Sequence, residues 1–217
     1  MSREVIEKLD SIVAGKSLLK HPFYLAWTAG ELPLERLHGY AVRYYPHVAA
    51  FPRYLSALHS RCEDIATRQS LLENLIEEER GADNHPELWL RFAEALNASR
   101  EEVMSAAPVA SATSLVGVYR DLTNNAPIAA GLAALYAYES QIPAVAAAKI
   151  DGLRRFYGIE NDRGLEFFRV HERADVYHAQ TGAELIERHC ASSADVTSVI
   201  DSAHRSLDAL WSMLDAM

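Results

Sequence analysis

Apolar residues recur at intervals of three and four in one segment of this chain after another. No segment alternates with period two for long enough to make a convincing strand. That pattern leaves helices packed on helices as the architecture. Segment 2–15 places Val5, Ile6, Leu9, Ile12 and Val13 at helical spacing, with Gly15 to stop it. Segment 21–30 puts Pro22 where a first helical turn accepts it and ends on Gly30. Further helices are expected over 33–51, with Pro46 and Pro52 as kinks or ends, and over 63–81, 86–97 and 111–125, with a short one near 99–106. The nearly all-apolar stretch 127–153 reads as a central helix bent near Pro143, and 162–189 and 194–217 as two amphipathic helices. The expectation is an all-α fold, one domain over residues 1–217, built as a single bundle of about seven to ten helices.

A chain of 217 residues can bury a substantial core. Its formal charge of −9 comes without a basic run, which argues against nucleic acid or an anionic membrane as partner. No stretch is long and apolar enough to span a bilayer, and the charged amphipathic start "MSREVIEKLD" does not read as a signal peptide, so a cytoplasmic location is expected. Cys62 and Cys190 offer neither a disulfide framework nor zinc spacing.

The chemistry lies where polar residues interrupt apolar stripes. In the helix expected over 162–189 the inward stripe follows Phe168, His171, Asp175, His178, Gly182, Leu185 and His189. Two imidazoles and a carboxylate on that stripe need partners, because a buried carboxylate costs several kcal/mol unless it is paired or binds a cation. The stretch "NLIEEERGADNHPELW" supplies Glu78 and His85, whereas Glu77 and Glu79 read as a solvated face. The stretch "ALYAYESQIPAVAAAKI" carries only two charged residues, Glu139 and Lys149. Glu78, His85, Glu139, His171, Asp175 and His178 together make three carboxylates and three imidazoles. Helix bundles assemble dimetal carboxylate sites from facing helices in this way. A nitrogen and oxygen set without thiolate suits iron or manganese better than zinc. The alternative for these residues is a satisfied buried hydrogen-bond network. The ferritin-type double Glu-x-x-His motif is absent.

"HPFYLAWTAGELP", "LIEEERGADNHPELW", "LYAYESQIPAVAAAKI" and "HERADVYHAQTGAEL", in that order and over nearly the whole chain, resemble the signature segments of the haem-oxygenase-like dimetal oxidases of the TenA/PqqC-like superfamily. The resemblance is strongest to the branch that makes para-aminobenzoate, which includes the chlamydial protein associating with death domains. It implies a haem-oxygenase-like helical bundle in which Glu78, His85, Glu139, His171, Asp175 and His178 are the ligands of two metal ions, iron and/or manganese. It also implies dioxygen as co-substrate, an external reductant, and a para-aminobenzoate product serving folate synthesis. Relatives of this kind are thought to use one of their own tyrosines as the aromatic source, and that position falls on Tyr24. The position linked to amine supply falls on Lys149. By residue type alone, Tyr24 reads as a core aromatic and Lys149 as a lysine whose stem packs on apolar surface while its head reaches water. For Lys149 to reach the site from Glu139, three turns away, the helix must bend at Pro143 or the pocket must extend. Tyr40 and Tyr138 are also expected near the metals. The expected partners are small molecules and a second copy of the chain in a homodimer.

Other readings compete. A related oxidase acting on an exogenous small molecule would share the ligand helices, and Tyr24 and Lys149 argue against it. The metal-free pyrroloquinoline-quinone synthases share the fold, and a full ligand set argues against them. The thiaminase-like relatives need a catalytic cysteine, while Cys62 and Cys190 read better as buried structural residues. An interaction protein with a structural metal is a third class, and it would keep its binding role after loss of Glu139.

Overall fold

The computed structural model describes residues 2–217, with side chains from Glu4 onward. Among them are eleven α-helices and one short 3-10 turn, Leu18–Lys20, with no strand. In chain order the helices are α1 (Ser2–Gly15), α2 (Pro22–Ala29), α3 (Leu34–Arg61), α4 (Ile65–Glu79), α5 (His85–Ala95), α6 (Arg100–Ser105), α7 (Ala110–Asn125), α8 (Ile128–Glu139), α9 (Ile142–Phe156), α10 (Asp162–His189) and α11 (Ser193–Asp215). No helix among the described residues is long and apolar enough to cross a membrane. Most helices begin where the sequence supplies a cap. Asp64, Asn84, Ser99, Asn161 and Ser192 each accept a backbone N–H of the first turn.

Two departures from the sequence reading matter for the site. First, α3 does not end near Pro52 but runs on to Arg61 through both prolines. A proline inside a helix costs about 3 kcal/mol, and here thirteen buried residues along one helix outweigh that cost. Second, the stretch 127–153 is two helices, because the chain breaks at Ser140–Gln141, ahead of Pro143. Pro143 therefore sits in the first turn of α9, where its missing N–H is harmless. Gln141 secures the break, donating to the Ala137 carbonyl while its own side-chain oxygen accepts from the backbone of Leu18. That break turns Lys149 inward, where it is 6% exposed.

The core is continuous. Helix α8, small and apolar on every side, lies at its centre against α10, α11 and α7. Trp27, Trp89, Tyr40, Tyr54, Tyr119, Phe92 and Phe168 are the largest fully buried side chains. Gly30 ends α2 in the left-handed region at φ 72°, and a Cβ there would fall 2.5 Å from the Phe156 ring, so both conformation and space require glycine. Arg100 grips Glu87 with both terminal nitrogens and reaches Glu94, which also meets Arg163. This network fixes α5, the carrier of His85, against α6 and α10. The guanidinium of Arg100 holds the Glu87 carboxyl down at about 2. Both cysteines are free and buried.

Candidate metal centre

The six residues come from four helices. Glu78 is the penultimate residue of α4, His85 opens α5, Glu139 closes α8, and His171, Asp175 and His178 share one face of α10. All six are buried, between 3% and 6% exposed. They fall into two groups whose ligand atoms lie within 4.8 Å of one another: Glu78, His85 and His171 in one, Glu139, Asp175 and His178 in the other. One cavity is lined by five of them together with His47, Phe51, Tyr138 and Phe167.

Several features favour bound cations over a satisfied polar network. The Asp175 Oδ2 atom is buried without a hydrogen-bond partner. The His85 Nδ1 atom lies 2.9 Å from Glu78 Oε1, close enough for the two to face one cation. The ring of His171 is held by Nδ1, which donates to the Phe167 carbonyl at 2.7 Å, so its Nε2 keeps a free lone pair. That is the tautomer a metal-binding imidazole needs. Glu78 and Glu139 also sit at helix C-termini, where the backbone dipole presents partial negative charge. Carboxylates there are unfavourable until a cation compensates them. Burial, reinforced by the Asp175 charge, pushes Glu139 up to about 8. Burial alone would depress His178 and His85, but the carboxylates outweigh it. Asp175, Glu139 and Glu77 carry His178 up to about 9, and Glu78 leads in raising His85. His171 is lowered, chiefly by burial. The residues present therefore fit a two-metal group.

Glu77 is 48% exposed, as a solvated face implies, but it also contacts the site. Its Oε2 lies 3.1 Å from His178 Nε2, which leaves Nδ1 turned toward Asp175 at 3.2 Å and Glu139 at 3.8 Å. A carboxylate behind an imidazole fixes its tautomer and orientation. Asn74, one turn before Glu78, donates to Glu139 Oε1 at 2.9 Å. Neither role stands out in the sequence, although Asn74 and Glu78 at i and i+4 share a helix face.

Tyr24 and Lys149 do not line this cavity; they form a second buried cluster. The Lys149 Nζ donates to Tyr40 Oη at 2.7 Å, and Tyr40 Oη lies 3.4 Å from Tyr24 Oη. The ammonium faces the rings of Tyr24, Trp27, Tyr40, Trp89 and Phe168 at 5.0–5.8 Å, so its head does not reach water. Burial pulls Lys149 down to about 7 and pushes Tyr24 well above the usual phenol range. Aromatic contacts join the two clusters. Tyr40 and Tyr44 stand 5.2 Å apart, Tyr44 and His47 5.3 Å, and His47 and Tyr138 5.3 Å, and Tyr138 lines the cavity of the six. Tyr138 thus lies where the sequence reading expected it, while Tyr40 belongs with Lys149.

Residues 38–211 match the family described as iron-containing redox enzyme, and the chain belongs to that family of haem-oxygenase-like helical bundles. Its relatives are more particular. It is 43% identical over 220 residues to the 4-aminobenzoate synthase of Nitrosomonas europaea, covering 97% of this chain and 89% of that one. It is also 43% identical over 216 residues to the 4-aminobenzoate synthase of Chlamydia muridarum, covering 100% and 91%. A solved TenA homologue from Pseudomonas syringae pv. tomato superposes with a TM-score of 0.84 over 98% of this chain and 90% of its own, at 16% identity. That last likeness speaks to the fold alone.

Proposed function

We propose that the protein is an oxygen-dependent dimetal oxidase that makes 4-aminobenzoate for folate synthesis, drawing the aromatic ring from Tyr24 and the amine from Lys149. One observation carries this reading: a tyrosine and a lysine, both buried, share the hydroxyl of Tyr40 and are linked by aromatic contacts to a six-ligand pocket. Tyrosine already has a one-carbon substituent opposite a ring oxygen. Cleaving its Cα–Cβ bond, oxidising Cβ to the acid with dioxygen, and replacing the ring oxygen, lost as water, by the Lys149 nitrogen would give the product; the bond from that nitrogen to Cε breaks and leaves the lysine side chain as an aldehyde.

Glu78, His85 and His171 would hold one metal ion, and Glu139, Asp175 and His178 the other. Iron and/or manganese bound there would supply the oxidising power of dioxygen, with electrons from an external reductant. The protein residues do the rest. Glu77 orients His178, and Asn74 steadies Glu139. Tyr40 accepts a hydrogen bond from Lys149 and keeps its amine beside the Tyr24 ring. With a value near 7, an appreciable fraction of Lys149 is the neutral amine at physiological pH, as a nitrogen donor must be. Packed aromatics exclude water from both groups.

The size of the pocket favours an internal source over an exogenous aromatic. The cavity lined by five of the six side chains has a volume of only about 10 Å³, about the space one water needs, whereas a cavity known to take up benzene measures ~150 Å³. The proposal includes a soluble cytoplasmic setting and small-molecule partners only, in a homodimer. Tyr24→Phe tests it. This variant should keep its metals and make no 4-aminobenzoate, and wild-type protein should turn over at most about once per chain, because its own side chain is consumed. Product from Tyr24→Phe would move the assignment to an oxidase of exogenous substrates.

A further inference from the structure

Two cavities meet at Glu139, which lines both. Leu55, Leu71, Leu132, Leu135 and Leu185 form the apolar wall of the second, Asn74 and Thr181 interrupt that wall, and it reaches Glu139 and His178, two of the three residues of one candidate metal group. It comes to the surface between α4 and α10, at the partly exposed Ser70 and at Tyr177, which is 57% exposed. A water-sized sphere has about 30 Å³ of free movement inside it, room for one or two very small molecules and no more.

Gly182 helps keep this space open. It lies within the 28-residue helix α10, where glycine weakens a helix relative to alanine. Nothing in the backbone calls for it, since its φ is not positive. Crowding does not call for it either: a Cβ would meet only the Tyr136 ring, at 3.6 Å, an ordinary contact. What the missing side chain leaves is room in the cavity.

We propose that this leucine-walled cavity is the path by which dioxygen reaches the candidate dimetal centre, apart from the aromatic side that holds Tyr24 and Lys149. The inference rests on the oxygen-dependent reading given above. Dioxygen is the one reactant of that reading that is both small enough for the cavity and apolar enough to favour leucine walls over water. A reductant or an aromatic acid is neither. Xenon, a small apolar probe, binds in apolar cavities and so reports whether the leucine side of this one takes up such a molecule.

The test has two arms. Crystals pressurised with xenon should show the atom among Leu55, Leu71 and Leu185. In parallel, Gly182→Phe and Ser70→Trp, one from each side of the opening, are loaded with iron(II), which supplies the electrons, under argon and mixed with oxygenated buffer. Filling a close-packed passage should slow oxygen consumption by about ten-fold or more, with metal content and helical content unchanged. Two variants on different helices keep the test standing if one fails to fold. An empty cavity under xenon, or wild-type rates in the folded variants, overturns the route. Wild-type protein that binds iron but consumes no oxygen refutes the oxidase reading itself, and the route falls with it whatever the xenon result.

Discussion

Replacing Lys149 with methionine should stabilise the protein while abolishing synthesis. Burial lowers the lysine from 10.5 to about 7 in the folded chain. Each unit of such a shift is worth about 1.4 kcal/mol. Holding this ammonium in the fold therefore costs about 4–5 kcal/mol below pH 7, where both folded and unfolded chains carry the proton. The sign follows from the lowered value. Above pH 7 the folded lysine sheds its proton while the unfolded one keeps it, so the cost shrinks as pH rises and vanishes near 10.5. Methionine has a similar stem and no charge. Against the gain stand the lost hydrogen bond to Tyr40, about 1 kcal/mol, and whatever the five surrounding rings contribute to the cation. A net gain of about 2–4 kcal/mol at pH 6–7 remains, falling below about 1 kcal/mol by pH 10. Urea unfolding of both apo proteins across that range reads it directly. A destabilised variant at pH 6, or a difference that does not change with pH, would refute the claim that Lys149 is a desolvated amine.

Protein loaded anaerobically should bind about two metal ions per chain, and His171→Ala or Asp175→Ala should sharply lower that number by elemental analysis. Loading should also raise the melting temperature by mass action. Because Glu139 near 8 and His178 near 9 must both give up protons to bind, metal uptake at pH 7 should release protons and tighten as pH rises toward 9, as calorimetry in buffers of different ionisation enthalpy would show. Glu77→Gln should weaken metal affinity about 10–100-fold in competition with a chelator while the fold stays intact, since it removes the carboxylate behind His178 rather than a ligand. Unchanged affinity would return Glu77 to the solvated face.

Much of this arrangement was legible in the sequence because helical periodicity marks which face is buried. His171, Asp175 and His178 stood out as polar residues on an apolar stripe, and all three are buried on one face of α10. Glu139 was conspicuous as an acid in the most apolar segment, and it is 5% exposed. Tyr24 and Lys149 were not legible in that way. A buried tyrosine resembles any core aromatic, and only the resemblance to known relatives singled out these two. The break at Ser140–Gln141 escaped notice because Pro143 is the stronger local signal, while the side-chain bond from Gln141 to Leu18 spans 123 residues. Glu77 is 48% exposed, as its periodicity implies, and its contact with His178 comes from a distant helix that local pattern does not show.

The central claim is that the protein's own Tyr24 becomes the product. It is tested most directly by producing the protein with ring-labelled tyrosine, loading it with iron and manganese, and supplying reductant and dioxygen with no added aromatic compound. The 4-aminobenzoate released should carry the full ring label, and peptide mapping should find the side chain missing at position 24 and at no other tyrosine. Unlabelled product, or labelled product from protein whose Tyr24 remains intact, would contradict the account.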